Sequence, residues 1–153
     1  MNLETTYNQL KEMNLSRMAQ SLQDRLNNGD HIDLSHEQFI ALLIEDEYVA
    51  RKQRRLKRMV GQARFKPELP SLEDIIYNPA RGFEKKDIMA FSTLQWVENA
   101  HNIILTGPTG SGKSFLAQAI AFQVCRLGTP ALNIRFNMLL EEINAARGTG
   151  MYL

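Results

Sequence analysis

The stretch that decides the fold occupies residues 107–114 and reads Gly107-Pro108-Thr109-Gly110-Ser111-Gly112-Lys113-Ser114. It matches the P-loop pattern G-x-x-x-x-G-K-[ST] at every fixed position. Its three glycines let the backbone turn tightly, so that consecutive N–H groups can surround a chain of phosphates. Lys113 supplies a mobile positive charge for the β- and γ-phosphates, and the Ser114 hydroxyl supplies a ligand for Mg²⁺. The candidate nucleotide-binding residues are Gly107, Pro108, Thr109, Gly110, Ser111, Gly112, Lys113, Ser114 and Phe115.

The sequence on either side of this loop predicts a strand before it and a helix after it. Residues 102–106 form a β-branched, apolar run of the kind found in buried strands. After Lys113, apolar residues recur at helical spacing until Gly128, and residues 131–136 predict a second strand. A phosphate-binding loop requires these surroundings, whereas a glycine-rich structural turn does not. The predicted fold class for this part is therefore α/β, of the P-loop NTPase type.

The N-terminal part predicts an all-α domain. Apolar residues spaced three or four apart over residues 5–28 predict two short helices, which the turn at residues 27–30 ends. Ser35 and Gln38 form a capping-box pattern, and the helix that it opens can continue to about Phe65.

Two prolines, Pro67 and Pro70, then interrupt the helical pattern. A loop is predicted at residues 78–82 and a further helix over about 84–98. These breaks predict a helical domain at 1–67, a connector at 68–100 and the P-loop part of an ATPase domain at 101–153.

The long helix of the first domain carries a dense group of basic side chains. Residues 51–66 hold eight basic residues and no acidic one, although the whole chain has a net charge of only +1. Four of the arginines project roughly opposite Leu56 on a helix. One interpretation is contact with nucleic-acid phosphates that does not depend on base sequence, and the other is a solvated or protein-facing surface. This basic segment comprises Arg51, Lys52, Arg54, Arg55, Lys57, Arg58, Arg64 and Lys66.

Composition excludes several other classes of protein. The chain has 153 residues, of which 44% are hydrophobic and 23% charged, as in ordinary globular domains. No apolar run reaches the ~20 residues that span a bilayer, and the N-terminus lacks a signal-peptide pattern. We therefore expect a cytoplasmic protein without a membrane partner. Cys125 is the single cysteine and is expected in the core, and the three histidines have no metal-ligand spacing.

Together these segments resemble the IstB-like ATPases, which assist the transposition of insertion sequences and are similar to helicase loaders of the DnaC type. The helical N-terminal segment with its basic helix and the P-loop carry the resemblance. Four further segments add to it: Glu73-Asp74-Ile75, Arg81-Gly82, Gln123-Val124-Cys125-Arg126 and Leu139-Leu140-Glu141-Glu142-Ile143-Asn144-Ala145-Ala146-Arg147. The resemblance implies an AAA+ ATPase that binds ATP and Mg²⁺. It also implies assembly as a homo-oligomer on duplex DNA and assistance to a transposase in using its target.

The sequence departs from the family after the P-loop region. The family has an acidic Walker B strand, a sensor residue, an arginine finger and a helical lid, and none of them is found here. Glu141 and Glu142 are the only acids after Gly112. No catalytic residue can therefore be assigned, and we expect an incomplete AAA+ domain that binds ATP without turning it over. In the family's sheet the two predicted strands are not neighbours, so residues 100–153 are expected to be marginally ordered.

Three alternative functions remain open on the sequence. The first is a DnaC-like helicase loader in DNA replication. The second is a DNA- or protein-binding module with a vestigial P-loop. The third is a small-molecule P-loop kinase, which the basic segment and the absence of acceptor-site residues disfavour.

Overall fold

The structure is a computed structural model, and it describes residues 2–77 and 84–150. The chain forms two compact units, Met1–Arg55 and Leu56–Leu153. The predicted domain limits at residues 67 and 100 remain predictions. Within the described ranges the α-helices are α1 Leu3–Glu12, α2 Ser16–Asn28, α3 His36–Gln62, α4 Lys85–Met89, α5 Gln95–Glu98, α6 Lys113–Arg126 and α7 Phe136–Thr149.

The first unit contains the two short helices that the apolar spacing predicts. Helix α2 ends at Asn28 because Gly29 follows it with φ 77°, in the left-handed region that glycine adopts without strain. Leu10 of α1 and Ala19 of α2 are buried, and so is Leu43 of α3. In residues 2–67 all the regular secondary structure is helical, as predicted for the N-terminal part.

Helix α3 begins with the predicted capping box. The Gln38 N–H donates to Ser35 Oγ at 3.2 Å, and the Ser35 N–H donates to Gln38 Oε1 at 3.0 Å. The helix ends at Gln62, three residues earlier than predicted. Arg64 has a φ of 55°, and the carbonyl groups of Ala63 and Arg64 accept hydrogen bonds from the backbone and side chain of Asn133. These contacts replace the helical hydrogen bonds that a longer α3 would make.

The second unit packs helix α6 against the connector. Ala119 and Ile120 of α6 form a buried cluster with Leu72, Ile75 and Ile88. The helix predicted over 84–98 is broken into α4, a 3₁₀ turn at Ala90–Ser92 and α5. Thr93 is extended, and the Ser92 carbonyl accepts its hydrogen bond from the Gln123 side chain instead of from a continuing helix. The loop predicted at residues 78–82 lies outside the described residues.

The two predicted strands are not found in the described residues. Residues 102–106 and 131–135 are irregular, without hydrogen bonds to a neighbouring strand, and residue 136 already belongs to α7. A strand needs a hydrogen-bonded neighbour, whereas the Asn133 N–H donates to the Ala63 carbonyl at the end of α3. Ile104 is 83% exposed and Leu132 is 56% exposed. The described residues therefore show the helical part of the predicted α/β fold and not its sheet.

None of the helices in residues 2–77 and 84–150 combines the length and the hydropathy that crossing a membrane requires.

Candidate nucleotide-binding site

At three positions of the loop formed by residues 107–112, the backbone has a conformation that only glycine adopts easily. The φ angles are 147° at Gly107, 82° at Gly110 and 89° at Gly112. A Cβ at Gly107 would lie 3.2 Å from Ser111 Oγ, whereas Cβ atoms at Gly110 and Gly112 would meet no described heavy atom within 4 Å. The backbone thus faces open space at the last two glycines. A phosphate can approach the main chain closely there, which is the fit that a nucleotide requires.

Helix α6 begins directly after this loop, with Gly112 at its N-cap. No side chain caps the helix, and the N–H groups of a first helical turn have no partner within the helix. The helix dipole adds partial positive charge at the same place. The first turn of α6 therefore presents uncapped N–H donors to an anion bound by the loop.

Lys113 and Ser114 occupy the first two positions of α6. The Lys113 ammonium donates to the carbonyl oxygens of Gly107 at 2.8 Å and Pro108 at 2.6 Å. These bonds fold the side chain back over the loop, so the charge lies beside the donors that a phosphate would use. Ser114 is exposed, and its hydroxyl is available as a Mg²⁺ ligand.

A cavity of about 580 Å³ adjoins the loop. Its apolar wall comes from the connector and α6, including Ile75, Ile88, Phe91 and Leu116. Loop residues Gly107, Pro108, Ser111, Gly112 and Lys113 also line it, together with Asp74 and Asp87. The volume and mixed lining are typical of small-molecule sites.

Gln118 connects the P-loop helix to the segment that follows α3. It is buried, its side-chain amide donates to the Ser114 carbonyl at 3.1 Å, and its Oε1 accepts the Lys66 N–H at 3.0 Å. One side chain therefore bonds both to a residue of the P-loop helix and to a residue of the basic segment.

All eight residues of the basic segment are exposed. Six of them, from Arg51 to Arg58, lie on α3, whereas Arg64 and Lys66 follow it. Lys52 lies over the ring of Tyr48, with its ammonium 4.5 Å from the centroid, and Arg64 forms an ion pair with Glu142 of α7. The helical part of the basic segment is thus accessible along α3, although several of its members also have protein partners.

Two arginines of this segment are held by a buried carboxylate. Glu47 accepts from Arg51 Nε at 3.0 Å and from Arg54 Nη2 at 2.7 Å through Oε1. Its Oε2 accepts the backbone N–H groups of Arg17 and Met18 at 2.9 Å and 3.0 Å. Glu47 therefore takes the place of a capping side chain at the start of α2 and also fixes the two guanidinium groups.

These contacts control the ionisation of Glu47. Burial raises its pKa, but the hydrogen bonds from Arg51, Met18, Arg17 and Arg54 outweigh burial and hold the pKa below the ordinary value of 4.5. The carboxylate is therefore charged at neutral pH, and it offsets part of the positive charge of the basic segment.

Cys125 lies in the core, as predicted. Its side chain is fully buried, and burial raises the pKa of its thiol above the ordinary value. Because the thiolate is the reactive form, this environment does not favour a nucleophile.

A comparison with protein-family profiles matches residues 8–153 to the family described as IstB-like ATP binding protein. The chain belongs to this family. The IstB-like relatives include a protein of insertion sequence IS1162 from Pseudomonas fluorescens, which is 34% identical over 96% of this chain and 64% of its own length. Two relatives from Sinorhizobium fredii, y4pL and y4uH, are 31% and 32% identical over 96% and 95% of this chain.

The names of these three relatives describe them as ATP-binding proteins of insertion sequences. The chain spans about three-fifths of their length, since the matches cover 64%, 60% and 58% of them. The resemblance stated from the residues is thereby confirmed at the level of the family.

Two groups of residues around the candidate sites were not predicted from the sequence. Asp74 and Asp87 line the cavity, and each is the fourth residue of a capping box that begins at Ser71 or Glu84. That spacing was readable in the sequence, but nothing in it places the two boxes beside the P-loop. Glu47 was not predicted, and the only sequence signal for its role is its position one helical turn before Arg51.

Proposed function

We propose that the chain binds ATP together with Mg²⁺ at residues 107–115 and serves as the ATP-binding helper of an insertion-sequence transposition system. The observation that carries the proposal is the loop with three positive-φ glycines that leads into the uncapped N-terminus of α6. Backbone N–H groups would hold the phosphates, Lys113 would neutralise the β- and γ-phosphates, and Ser114 would provide a Mg²⁺ ligand. When bound, Mg²⁺ neutralises phosphate charge and orients the phosphate chain.

Calorimetric titration of the full chain with ATP, with and without Mg²⁺, tests the nucleotide part of the proposal. Lys113→Ala should abolish binding because it removes the charge that faces the phosphates. Ser114→Ala should chiefly weaken the dependence on Mg²⁺. Lys11→Ala on α1 is the matched control for the loss of a lysine and should bind as the wild type does. Equal ATP affinity in the wild type and Lys113→Ala would overturn the site assignment.

The same proposal includes binding to duplex DNA, assembly as a homo-oligomer and co-operation with a transposase. The family membership and the accessible basic residues on α3 support this part. The names of the relatives refer to insertion sequences, which favours transposition over helicase loading in replication. Binding to a transposase, compared with binding to a replicative helicase, separates these two processes.

Because Glu47 binds Arg51 and Arg54, these two arginines are unsuitable sites for substitutions that test DNA binding. Reversing Arg51 or Arg54 to Glu would place a second carboxylate beside buried Glu47, so the fold of the first unit would fail together with any DNA contact. Lys57 and Arg58 are exposed on α3 and are the better choice.

DNA affinity measured as a function of salt concentration then tests the proposal. With about four phosphate contacts, the slope of log K against log salt should be roughly −3.6. The double variant Lys57→Gln/Arg58→Gln should reduce this slope to about −1.8, because two contacts are lost. Lys85→Gln/Lys86→Gln on α4 removes the same charge elsewhere and should leave the slope unchanged. An unchanged slope in the α3 variant would mean that Lys57 and Arg58 contact solvent and not DNA.

A further inference from the structure

The cavity beside the P-loop contains two fixed carboxylates that the phosphate site does not use. Asp74 Oδ2 accepts from the N–H of Ser71 at 2.9 Å and from its hydroxyl at 2.8 Å. Asp87 Oδ2 accepts the Glu84 N–H at 2.8 Å. Both contacts use Oδ2, which leaves Oδ1 of each carboxylate for a ligand as far as the described residues show. Two separate capping boxes therefore orient two acceptors at the wall of one cavity.

The charge of these groups restricts the part of a nucleotide that they can contact. Hydrogen bonds from Ser71 hold the pKa of Asp74 below its ordinary value, so this carboxylate is ionised at neutral pH. An ionised carboxylate repels phosphates and only accepts hydrogen bonds. It therefore suits the neutral end of a nucleotide, where the ribose offers two hydroxyl donors. The apolar wall formed by Ile75, Ile88 and Phe91 suits the flat face of a base.

Building on the proposed function, we infer that Asp74 and Asp87 accept hydrogen bonds from the ribose hydroxyls of the bound nucleotide, so that the site prefers ribonucleotides to deoxyribonucleotides. The phosphates lie on the loop and the N-terminus of α6, the base lies against the apolar wall, and the sugar lies between them. Both carboxylates are exposed in the absence of a nucleotide, and a hydrogen bond from a hydroxyl to a charged acceptor strengthens binding. 2′-Deoxy-ATP lacks one of the two hydroxyl donors, which sets the preference.

Calorimetric titration with ATP, 2′-deoxy-ATP and inorganic tripolyphosphate, each with Mg²⁺, tests this inference in the full chain. The wild type should bind ATP about tenfold more tightly than 2′-deoxy-ATP. The double variant Asp74→Asn/Asp87→Asn keeps a capping oxygen at both positions but loses both charges. The ratio of its affinities for ATP and 2′-deoxy-ATP should fall to near one. Its affinity for tripolyphosphate should stay the same or rise. The surface variant Asp30→Asn/Asp33→Asn loses the same charge and should retain the wild-type preference.

Each other outcome overturns the inference in a distinguishable way. Equal binding of ATP and 2′-deoxy-ATP by the wild type removes the ribose contact but leaves the phosphate site intact. A loss of tripolyphosphate affinity in the double variant would assign the carboxylates to Mg²⁺ instead. Failure of the wild type to bind either nucleotide or tripolyphosphate would overturn the proposed function as well. Circular dichroism melting of each variant shows whether its fold is retained.

Discussion

At the scale of single residues, Glu47 connects helix α2 to two arginines of the basic segment. Its two oxygens accept from two backbone N–H groups at the start of α2 and from Arg51 and Arg54. Its side chain is 5% exposed, whereas the side chains of Arg51 and Arg54 are 54% and 55% exposed. The carboxylate is thus inside the unit and the guanidinium groups lie at its surface. One buried acid therefore links the packing of α2 to the geometry of the basic segment.

Removal of this carboxylate should destabilise the first unit. We expect Glu47→Ala to lower the free energy of unfolding by about 2–3 kcal/mol, since charge-assisted hydrogen bonds and the start of α2 are lost together. Urea denaturation followed by circular dichroism measures the change. Glu45→Ala, an exposed acid two residues earlier, is the matched control and should change the free energy of unfolding by less than about 0.5 kcal/mol. Equal effects of the two variants would contradict the role given to Glu47.

The pKa of Glu47 also predicts the pH dependence of stability. Because its folded pKa lies below the ordinary value of 4.5, its contribution to stability is present above that value. The contribution is lost as the pH falls from about 4.5 through the folded pKa. The melting temperature of the wild type should therefore decrease across this range, and that of Glu47→Gln should decrease less. Parallel curves for the two proteins between pH 7 and pH 3 would exclude Glu47 as a source of the acid sensitivity.

At the scale of elements, the helices were predictable and the strands were not. Apolar spacing and capping patterns are local signals, and they correctly predicted α1, α2, the start of α3 and α6. The run at residues 102–106 has strand composition, but a strand also requires a partner, which local sequence cannot supply. The break between α4 and α5 likewise depends on Gln123, which is far from it in sequence. Long-range hydrogen bonds thus account for most of the differences between the predicted and the observed secondary-structure elements.

In the candidate site, too, the features with a local sequence signal were predictable and those that depend on distant residues were not. The P-loop pattern fixed the candidate residues 107–115, because the chemistry of phosphate binding is local to a loop and one helix turn. The neighbouring cavity joins residues of the connector to α6, and no sequence pattern connects them. Asp74 and Asp87 therefore became candidates only through the structure.

The absence of a strand ladder at residues 102–106 has a measurable consequence. Amide groups outside hydrogen-bonded structure exchange rapidly with solvent, whereas those of a packed helix are protected. We expect fast hydrogen exchange in residues 102–106 and slow exchange around Ile120 and Val124 of α6, which are buried. Hydrogen exchange read by mass spectrometry on the full chain tests this. Protection of residues 102–106 comparable with that of α6 would indicate a strand pairing that the described structure lacks.

At the scale of the whole molecule, the sequence predicts nucleotide binding without turnover. Phosphoryl transfer depends on groups that position water and stabilise charge. After the P-loop the only acids are Glu141 and Glu142, and Glu142 forms an ion pair with Arg64. We expect the chain to release no more phosphate from ATP than Lys113→Ala does in a coupled phosphate assay. Hydrolysis that depends on Lys113 would contradict this expectation, and Glu141→Gln would then test the remaining acid.

The central claim is that the backbone of residues 107–115 holds the phosphates of ATP. Two-dimensional ¹⁵N–¹H NMR of the full chain during titration with Mg²⁺·ATP tests it most directly, because the amide groups of this loop are the proposed ligands. The amide signals of Gly110, Gly112, Lys113 and Ser114 should shift together and saturate, and Lys113→Ala should abolish the shifts. Saturable shifts that leave these four amides unchanged, or that persist in Lys113→Ala, would contradict the account.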